Sequence, residues 1–363
     1  MIKQNLKITK KKTREIVNKL KETSTYFLSP DNFWIYVAYR LVELLRNEYA
    51  IYSNELLYHF CEVGPGNRRF DPFIVEILYS SFFMQKYLDK KDIKLEGKWF
   101  LMASGDTGNT MLKIKEKLLA AILENSKTDN LFQLLKKELE NIFKEDEYEI
   151  VGTSINKKMT YIEFKLITKK FKNGLLLRFY NTNEWIYPDS WQIWGLFEKA
   201  RLDSLIPILI APKIHGACFP LFKALGIFAR AEHDLFIEKS LQEIRNIVLN
   251  KEENDYFFIK KILPCKIDCL SSTSNSERFL GIKQLLSMTI PKYYDVFAKN
   301  FTKATVKVNN FSLDKFSNIP NTEIKLEERM QRIKDLLKLK IGHFKTIKNM
   351  IKRNEMLIAW LEK

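Results

Sequence analysis

Cysteine, glycine and proline are all scarce in this sequence. Four cysteines among 363 residues are too few for a disulfide framework, which excludes the small secreted scaffolds that bridges hold together. The 12 glycines and 10 prolines predict a helix-rich chain with few long loops. We therefore expect a folded protein in a reducing compartment, the cytoplasm.

A long uninterrupted apolar run is also missing. The most apolar window, residues 205–228, contains Lys213, His215, Lys223 and three prolines, which a membrane span would not carry at mid-depth. The basic start of the chain has no apolar core of the kind that a signal peptide needs. The sequence thus predicts a soluble protein.

Acidic residues are too few to balance the basic ones. Sixty Lys and Arg face 44 Asp and Glu, which gives a net charge of +16. This excess favours a polyanionic partner: nucleic acid first, with DNA ahead of RNA, and an anionic membrane surface second. We expect nucleic acid and no membrane partner. The alternative is that a lysine-rich composition raises the net charge without any nucleic-acid partner.

Residues 1–110 are predicted to form a helical domain with the element order of a winged helix. Three helical patterns are followed by IKLEGKWFLMA (residues 93–103), which indicates two short strands around Glu96 and Gly97. Arg68 and Arg69 precede the third helix and are candidates for binding nucleic acid. An all-helical domain with a β-hairpin fits the same pattern.

The segment GDTGNT (residues 105–110) is predicted to be a turn between domains. It looks like a phosphate-binding loop, but it lacks the Gly-Lys-Ser/Thr ending that supplies the lysine and the magnesium-binding hydroxyl.

Residues 111–250 are predicted to form a domain of the α+β, or mixed α/β, class, with a central mixed sheet covered by helices. The order of elements is α-β-β-β-α-β-α-β. Its strands are expected at 148–155, 159–166, 174–180, 206–211 and 226–231. Residues 251–363 are predicted to be mostly helical. An apolar stripe from Ile333 to Leu361 there could dock a protein partner or support a homodimer.

The strand MTYIEFKL (residues 159–166) raises the question of a catalytic site. Side chains alternate along a strand, so Glu163 and Lys165 share one face with Tyr161, while Ile162 and its apolar neighbours occupy the other. A carboxylate there can hold a divalent cation, and a lysine beside it can assist water. A helical wheel over residues 131–143 places Glu138 inside the apolar stripe, facing the sheet.

This arrangement of elements and residues resembles the PD-(D/E)xK nuclease superfamily, which has the restriction-endonuclease-like fold. The resemblance covers residues 128–230 and implies a Mg²⁺-dependent phosphodiester hydrolase. Glu163 and Lys165 match the Glu-x-Lys pattern, and Glu138 matches a helix glutamate of the superfamily. The pattern also requires an acidic metal ligand before this strand, and no aspartate lies between Glu149 and Glu163. Glu149 is the candidate that would bind Mg²⁺ together with Glu163.

Two further residues could contact nucleic acid. Lys213 and His215 follow the apolar strand 206–211, and residues beyond the carboxyl end of a strand are well placed to meet an anion. The alternative is that both belong to an ordinary surface turn.

Three hypotheses follow from the sequence. The first is a metal-dependent nuclease that uses Glu163, Lys165, Glu138 and Glu149. The second is a nucleic-acid-binding protein on the same scaffold that does not cut, and the third is a protein-interaction scaffold.

Overall fold

The computed structural model of the chain describes residues 15, 44–52, 93–96, 99–102, 106–188, 190–216, 218–232, 234–250, 253, 266–270, 276–313, 355, 357–359 and 361–362. The chain divides into two compact units. Unit 1 comprises Met1–Ala121 and Ile244–Pro264, and unit 2 comprises Ile122–Glu243 and Cys265–Lys363. The predicted division into three domains, at 110 and 250, stays a prediction.

Unit 1 contains a three-stranded antiparallel sheet. Its strands are β1 (Ala50–Tyr52), β2 (Ile93–Glu96) and β3 (Trp99–Met102), in the order β1-β3-β2. Glu96 pairs with Trp99 across β2 and β3, so two residues connect these strands and the predicted hairpin is confirmed. The helices predicted before the hairpin lie outside the described residues, apart from the helical residues 44–48.

Helix α1 (Asp106–Asn125) corrects one expectation from the sequence. It begins inside GDTGNT, the segment predicted to be a turn. Asp106 places a negative charge in the first turn, where it interacts favourably with the positive end of the helix dipole. A Cβ atom on Gly108 would lie 2.8 Å from the carbonyl oxygen of Met102, so the helix approaches the end of β3 more closely than a larger residue would allow.

Unit 2 is built around a five-stranded mixed sheet, which confirms the predicted fold class. After α2 (Asp129–Glu145) come β4 (Glu149–Asn156), β5 (Tyr161–Ile167), β6 (Leu175–Tyr180), α3 (Trp191–Asp203), β7 (Ile206–Ala211), α4 (Cys218–Leu225) and β8 (Phe228–Ala231). The strand order is β4-β5-β6-β7-β8. The first three strands pair antiparallel, and the last three pair parallel.

One face of this sheet packs against α2. Thr128 caps the helix by accepting a hydrogen bond from the Leu131 backbone N–H, and the apolar stripe that follows is buried. Phe143 meets Phe164 of β5 edge to face, with ring centroids 4.9 Å apart. Ile162 and Leu166 share the face of Phe164, as alternation along the strand predicts.

The other face packs against α3. Helix α4 then ends at Gly226, whose φ of 71° is left-handed and favours glycine. A Cβ atom on Gly226 would lie 2.3 Å from the carbonyl oxygen of Phe297. Gly226 therefore both ends the helix and admits the backbone of a later helix.

The remaining elements of unit 2 follow the sheet. They are β9 (Asp234–Ile237), α5 (Leu241–Val248, which crosses the boundary between the units), β10 (Lys266–Cys269), a 3₁₀ turn (Ser276–Phe279), α6 (Leu280–Gln284), a π-helical turn (Leu285–Thr289) and α7 (Ile290–Leu313). Strands β9 and β10 form a parallel pair. In the described part of the chain, no helix could cross a membrane.

A proline follows the π-helical turn between α6 and α7, in which the Ile290 backbone N–H donates to the carbonyl of Leu285. Pro291 has no N–H to donate, which leaves a carbonyl of the preceding turn without its helical partner. The hydroxyl of Tyr148 donates a hydrogen bond of 3.1 Å to the carbonyl oxygen of Leu286, five residues before the proline. Tyr148 thus satisfies the carbonyl that a π-helical hydrogen bond from residue 291 would have used.

Candidate functional site

A row of polar side chains crosses β5 and β6 on the sheet face that α3 covers. The predicted alternation of β5 is confirmed, because Tyr161, Glu163 and Lys165 lie on the face opposite Phe164. In the register of the two strands, Glu163 pairs with Arg178 and Tyr161 pairs with Tyr180. Strand β6 therefore brings a guanidinium next to the carboxylate.

Glu163 and Arg178 form a buried ion pair. The Nε atom of Arg178 donates a hydrogen bond of 2.7 Å to Oε2 of Glu163. The two residues are 7% and 6% exposed. Charge-assisted hydrogen bonds of this length are strong, and a buried charge requires such a partner. The Glu163 carboxylate, which was predicted to bind a metal ion, is therefore already paired with the guanidinium of Arg178.

Aromatic rings and a glycine surround this ion pair. The guanidinium carbon of Arg178 lies 4.8 Å from the ring centroid of Tyr161. A Cβ atom on Gly195 of α3 would be 3.5 Å from Nη1 of Arg178, so the helix passes directly over the guanidinium. Burial works against the charged arginine, yet Tyr180 and Glu163 raise the pKa of Arg178 above its ordinary value.

Lys165 has a different partner. Its Nζ atom lies 2.9 Å from Oδ2 of Asp203, the last residue of α3, and Lys199 lies 3.1 Å from the same oxygen. Although burial acts in the opposite direction, hydrogen bonds from these two lysines lower the pKa of Asp203. Glu163 and Lys165 are neighbours on one face, but each is neutralised by a residue from another element.

Acid should weaken the pair of Lys165 with Asp203. A carboxyl group whose pKa is lowered by folding stabilises the protein above its unfolded-state pKa, and this stability is lost as the pH falls through the folded-state pKa. We expect Asp203→Asn to lower the free energy of unfolding by about 1 kcal/mol at pH 7, because both lysines are partly exposed. Urea unfolding from pH 7 to pH 3 should show this difference vanishing. A difference independent of pH would contradict the assignment.

The structure does not bring Glu149 to Glu163. Glu149 pairs with Ile167 at one end of the β4–β5 hairpin, and Glu163 pairs with Ser154 toward the other end. Four residues of β5 separate the two positions, which is about 13 Å along the strand. Glu149 is exposed, so its carboxylate is not one of the groups around Glu163.

Glu138 is only partly buried. The residues of α2 that are buried against the sheet are Leu131, Phe132, Leu135, Leu139, Ile142 and Phe143. Glu138 lies at the border of this stripe, where its long side chain can reach water. Its burial does not demand the metal ion or lysine partner that the helical wheel suggested.

These positions do not fit a Mg²⁺ site. Such a site needs two or more carboxylates that converge on one volume. Glu163 is paired with Arg178, and Glu149 lies at the other end of the hairpin. Throughout the described part of the chain, no group of three His, Cys, Asp or Glu side chains could hold a metal ion.

Lys213 and His215 lie together in a buried pair of loops rather than on an ordinary surface turn. Lys213 is 2% exposed, and its Nζ atom donates to the backbone carbonyl of Asn183. The loops after β6 and β7 also form a parallel bridge between Ile186 and Ile214. The ring of His215 lies 5.6 Å from that of Tyr187. Lys213 therefore has a structural role in joining the two loops.

Two residues of the polar row were not predicted from the sequence. Arg178 is a charged residue within the otherwise apolar and aromatic strand LLLRFY, and Asp203 ends a helix. A lone arginine in a buried strand is a signal that a carboxylate must lie beside it. Arg68 and Arg69, the predicted nucleic-acid-binding residues of the first domain, lie outside the described residues.

Comparison with known proteins identifies no relative. No family model matches the chain, and no curated protein or solved structure matches it.

Proposed function

We propose that this protein binds nucleic acid, DNA in preference to RNA, and that its α/β unit does not cut it. The net charge of +16 supports a polyanionic partner. The hairpin of β2 and β3 pairs with β1 to form a three-stranded antiparallel sheet, and this sheet supports a winged-helix domain in unit 1. Such a domain would bind the phosphate backbone of a DNA duplex and place side chains in the grooves of the duplex.

The Glu163–Arg178 ion pair is the observation that carries the second half of the proposal. From α2 to β8, unit 2 has the order α-β-β-β-α-β-α-β and carries Glu163 and Lys165 on one strand face. The proposal therefore includes a restriction-endonuclease-like fold for this unit. A nuclease of that kind needs carboxylates whose oxygens are available to Mg²⁺. Here an arginine neutralises the central carboxylate inside the protein, and Asp203 neutralises the lysine.

DNA binding is tested first. We expect the full-length protein to bind a labelled duplex of about 20 base pairs, and a single strand of the corresponding RNA more weakly. With four or more phosphate contacts, affinity should fall about a hundredfold between about 50 and 200 mM salt. Fluorescence anisotropy across this range gives both the affinity and the salt slope. Absence of DNA binding at the lowest salt would overturn the proposal.

Cleavage is tested with the same substrates. Labelled single- and double-stranded DNA and RNA are incubated with Mg²⁺, with Mn²⁺ or with EDTA, and we expect intact nucleic acid in every case. Metal-dependent cutting that Lys165→Ala abolishes while binding is retained would establish the nuclease instead. Glu163→Gln provides a second test: it should lower stability in either case, because it leaves Arg178 without its charge partner, and it should abolish cleavage only if Glu163 is catalytic.

A further inference from the structure

Helix α7 carries a row of lysines along one face. Lys292, Lys299, Lys303 and Lys307 follow one another at spacings of seven, four and four residues, which places them on one side of an α-helix. The row extends over about 22 Å, a length that covers several phosphates of a nucleic-acid strand. Asp295 is the only acidic residue in α7. We call these four residues the lysine row.

A C-terminal segment of the chain accepts hydrogen bonds from one half of this row. Lys303 donates from Nζ to the backbone carbonyl of Glu362, and Lys307 donates to that of Leu361 at 3.1 Å. Both acceptors belong to a helical segment within residues 355–362. Leu357 and Leu361 anchor that segment, since both are buried in the core of unit 2.

The carbonyls in this contact resemble a phosphate in their chemistry. A backbone carbonyl carries only a partial negative charge, because it is one end of a neutral peptide dipole. Such carbonyls accept hydrogen bonds from ammonium groups, as phosphate oxygens do, but with less charge. Burial and the adjacent ammonium of Lys303 lower the pKa of Lys307. Two neighbouring ammonium groups would gain more from a full anion than from these carbonyls.

We propose that the lysine row is a second contact for the phosphate backbone of nucleic acid, and that the C-terminal segment competes with nucleic acid for Lys303 and Lys307. This inference rests on the proposed nucleic-acid binding. Lys303 and Lys307 would lose their hydrogen bonds to the segment when it leaves, while Lys292 and Lys299 are already exposed in the structure. The segment thus limits the affinity of the resting protein.

Leu361→Asp in the full-length chain tests this competition. The leucine is 3% exposed and the aspartate would expel the segment, whereas the control Leu202→Asp changes a leucine of α3 that is 66% exposed. For the same DNA duplex, we expect Leu361→Asp to raise the affinity on the order of fivefold at low salt. Two additional phosphate contacts should make the logarithmic salt slope steeper by about 1.8. The control should show neither change.

Neutralising the lysines completes the test. Lys303→Gln with Lys307→Gln should remove the gain in the Leu361→Asp background and change the affinity of the wild-type protein less than twofold. Lys292→Gln with Lys299→Gln should weaken both backgrounds. If Leu361→Asp does not fold, hydrogen exchange of residues 355–362 in the wild-type protein is measured instead, and it should become faster when the duplex is added.

The outcomes separate this inference from the proposed function. Suppose that the wild-type protein binds DNA but that the salt slope of Leu361→Asp, or the hydrogen exchange of residues 355–362, is unchanged. This result would mean that the two lysines only bind the segment and do not contact DNA. In that case the inference fails and the proposed function stands. Failure of the wild-type protein and of Leu361→Asp to bind DNA would overturn both.

Discussion

Replacing Arg178 with methionine is expected to lower the free energy of unfolding of unit 2 by about 3–5 kcal/mol. Methionine keeps much of the apolar contact of the arginine stem, but it leaves the Glu163 carboxylate buried without its 2.7 Å hydrogen bond. The loss of a charge partner inside a protein is costly because water cannot replace it. Chemical denaturation of the full-length protein, followed through tryptophan fluorescence, measures the effect.

The matched control removes both charges. Glu163→Leu combined with Arg178→Met replaces the ion pair by apolar side chains of similar size, and we expect this double variant to be close to wild type in stability. The comparison isolates the unpaired charge from the change of shape. A double variant as unstable as Arg178→Met would mean that packing beneath Gly195, rather than charge, dominates this site.

The Arg178 variants also bear on function. If the ion pair is structural, the double variant should bind DNA with the affinity of the wild type. Loss of a metal-dependent activity in a stable double variant would assign the pair to catalysis instead. Stability and activity are therefore read on the same protein.

Local patterns predicted the central unit well. The predicted strand over 206–211 agrees with the structure to the residue, because a continuous apolar run marks both of its ends. Strand β1 was not predicted. Three residues are too few to show alternation, and β1 is held by its pairing with β3, about fifty residues away.

The candidate site was only partly predictable for a related reason. Alternation along β5 places Glu163 and Lys165 on one face, and this follows from the strand itself. Their partners depend on the register with β6 and on where α3 ends, which no single segment encodes. The bulge in β4 between Ile150 and Gly152 similarly decides which residues face Lys165.

Asn181, like Arg178, stabilises unit 2 through contacts with segments that are distant in the sequence. It follows β6 and is fully buried. Its side-chain amide donates hydrogen bonds of 2.9 Å to the carbonyls of Ser126 and Phe236, and its Oδ1 atom accepts one of 2.9 Å from the Phe236 backbone N–H. One side chain thereby satisfies three backbone groups from two other segments.

We expect Asn181→Leu to lower the free energy of unfolding by about 3–5 kcal/mol, since three backbone groups lose their partner inside the protein at about 1–3 kcal/mol each, with partial relaxation. Asn130→Leu is the control, because its side chain makes one exposed hydrogen bond, to Glu238, and should cost less than about 1 kcal/mol. Denaturation measures both variants. Hydrogen exchange at the Phe236 amide should become faster in Asn181→Leu, and an unchanged rate would show that β9 is held by its pairing with β10 instead.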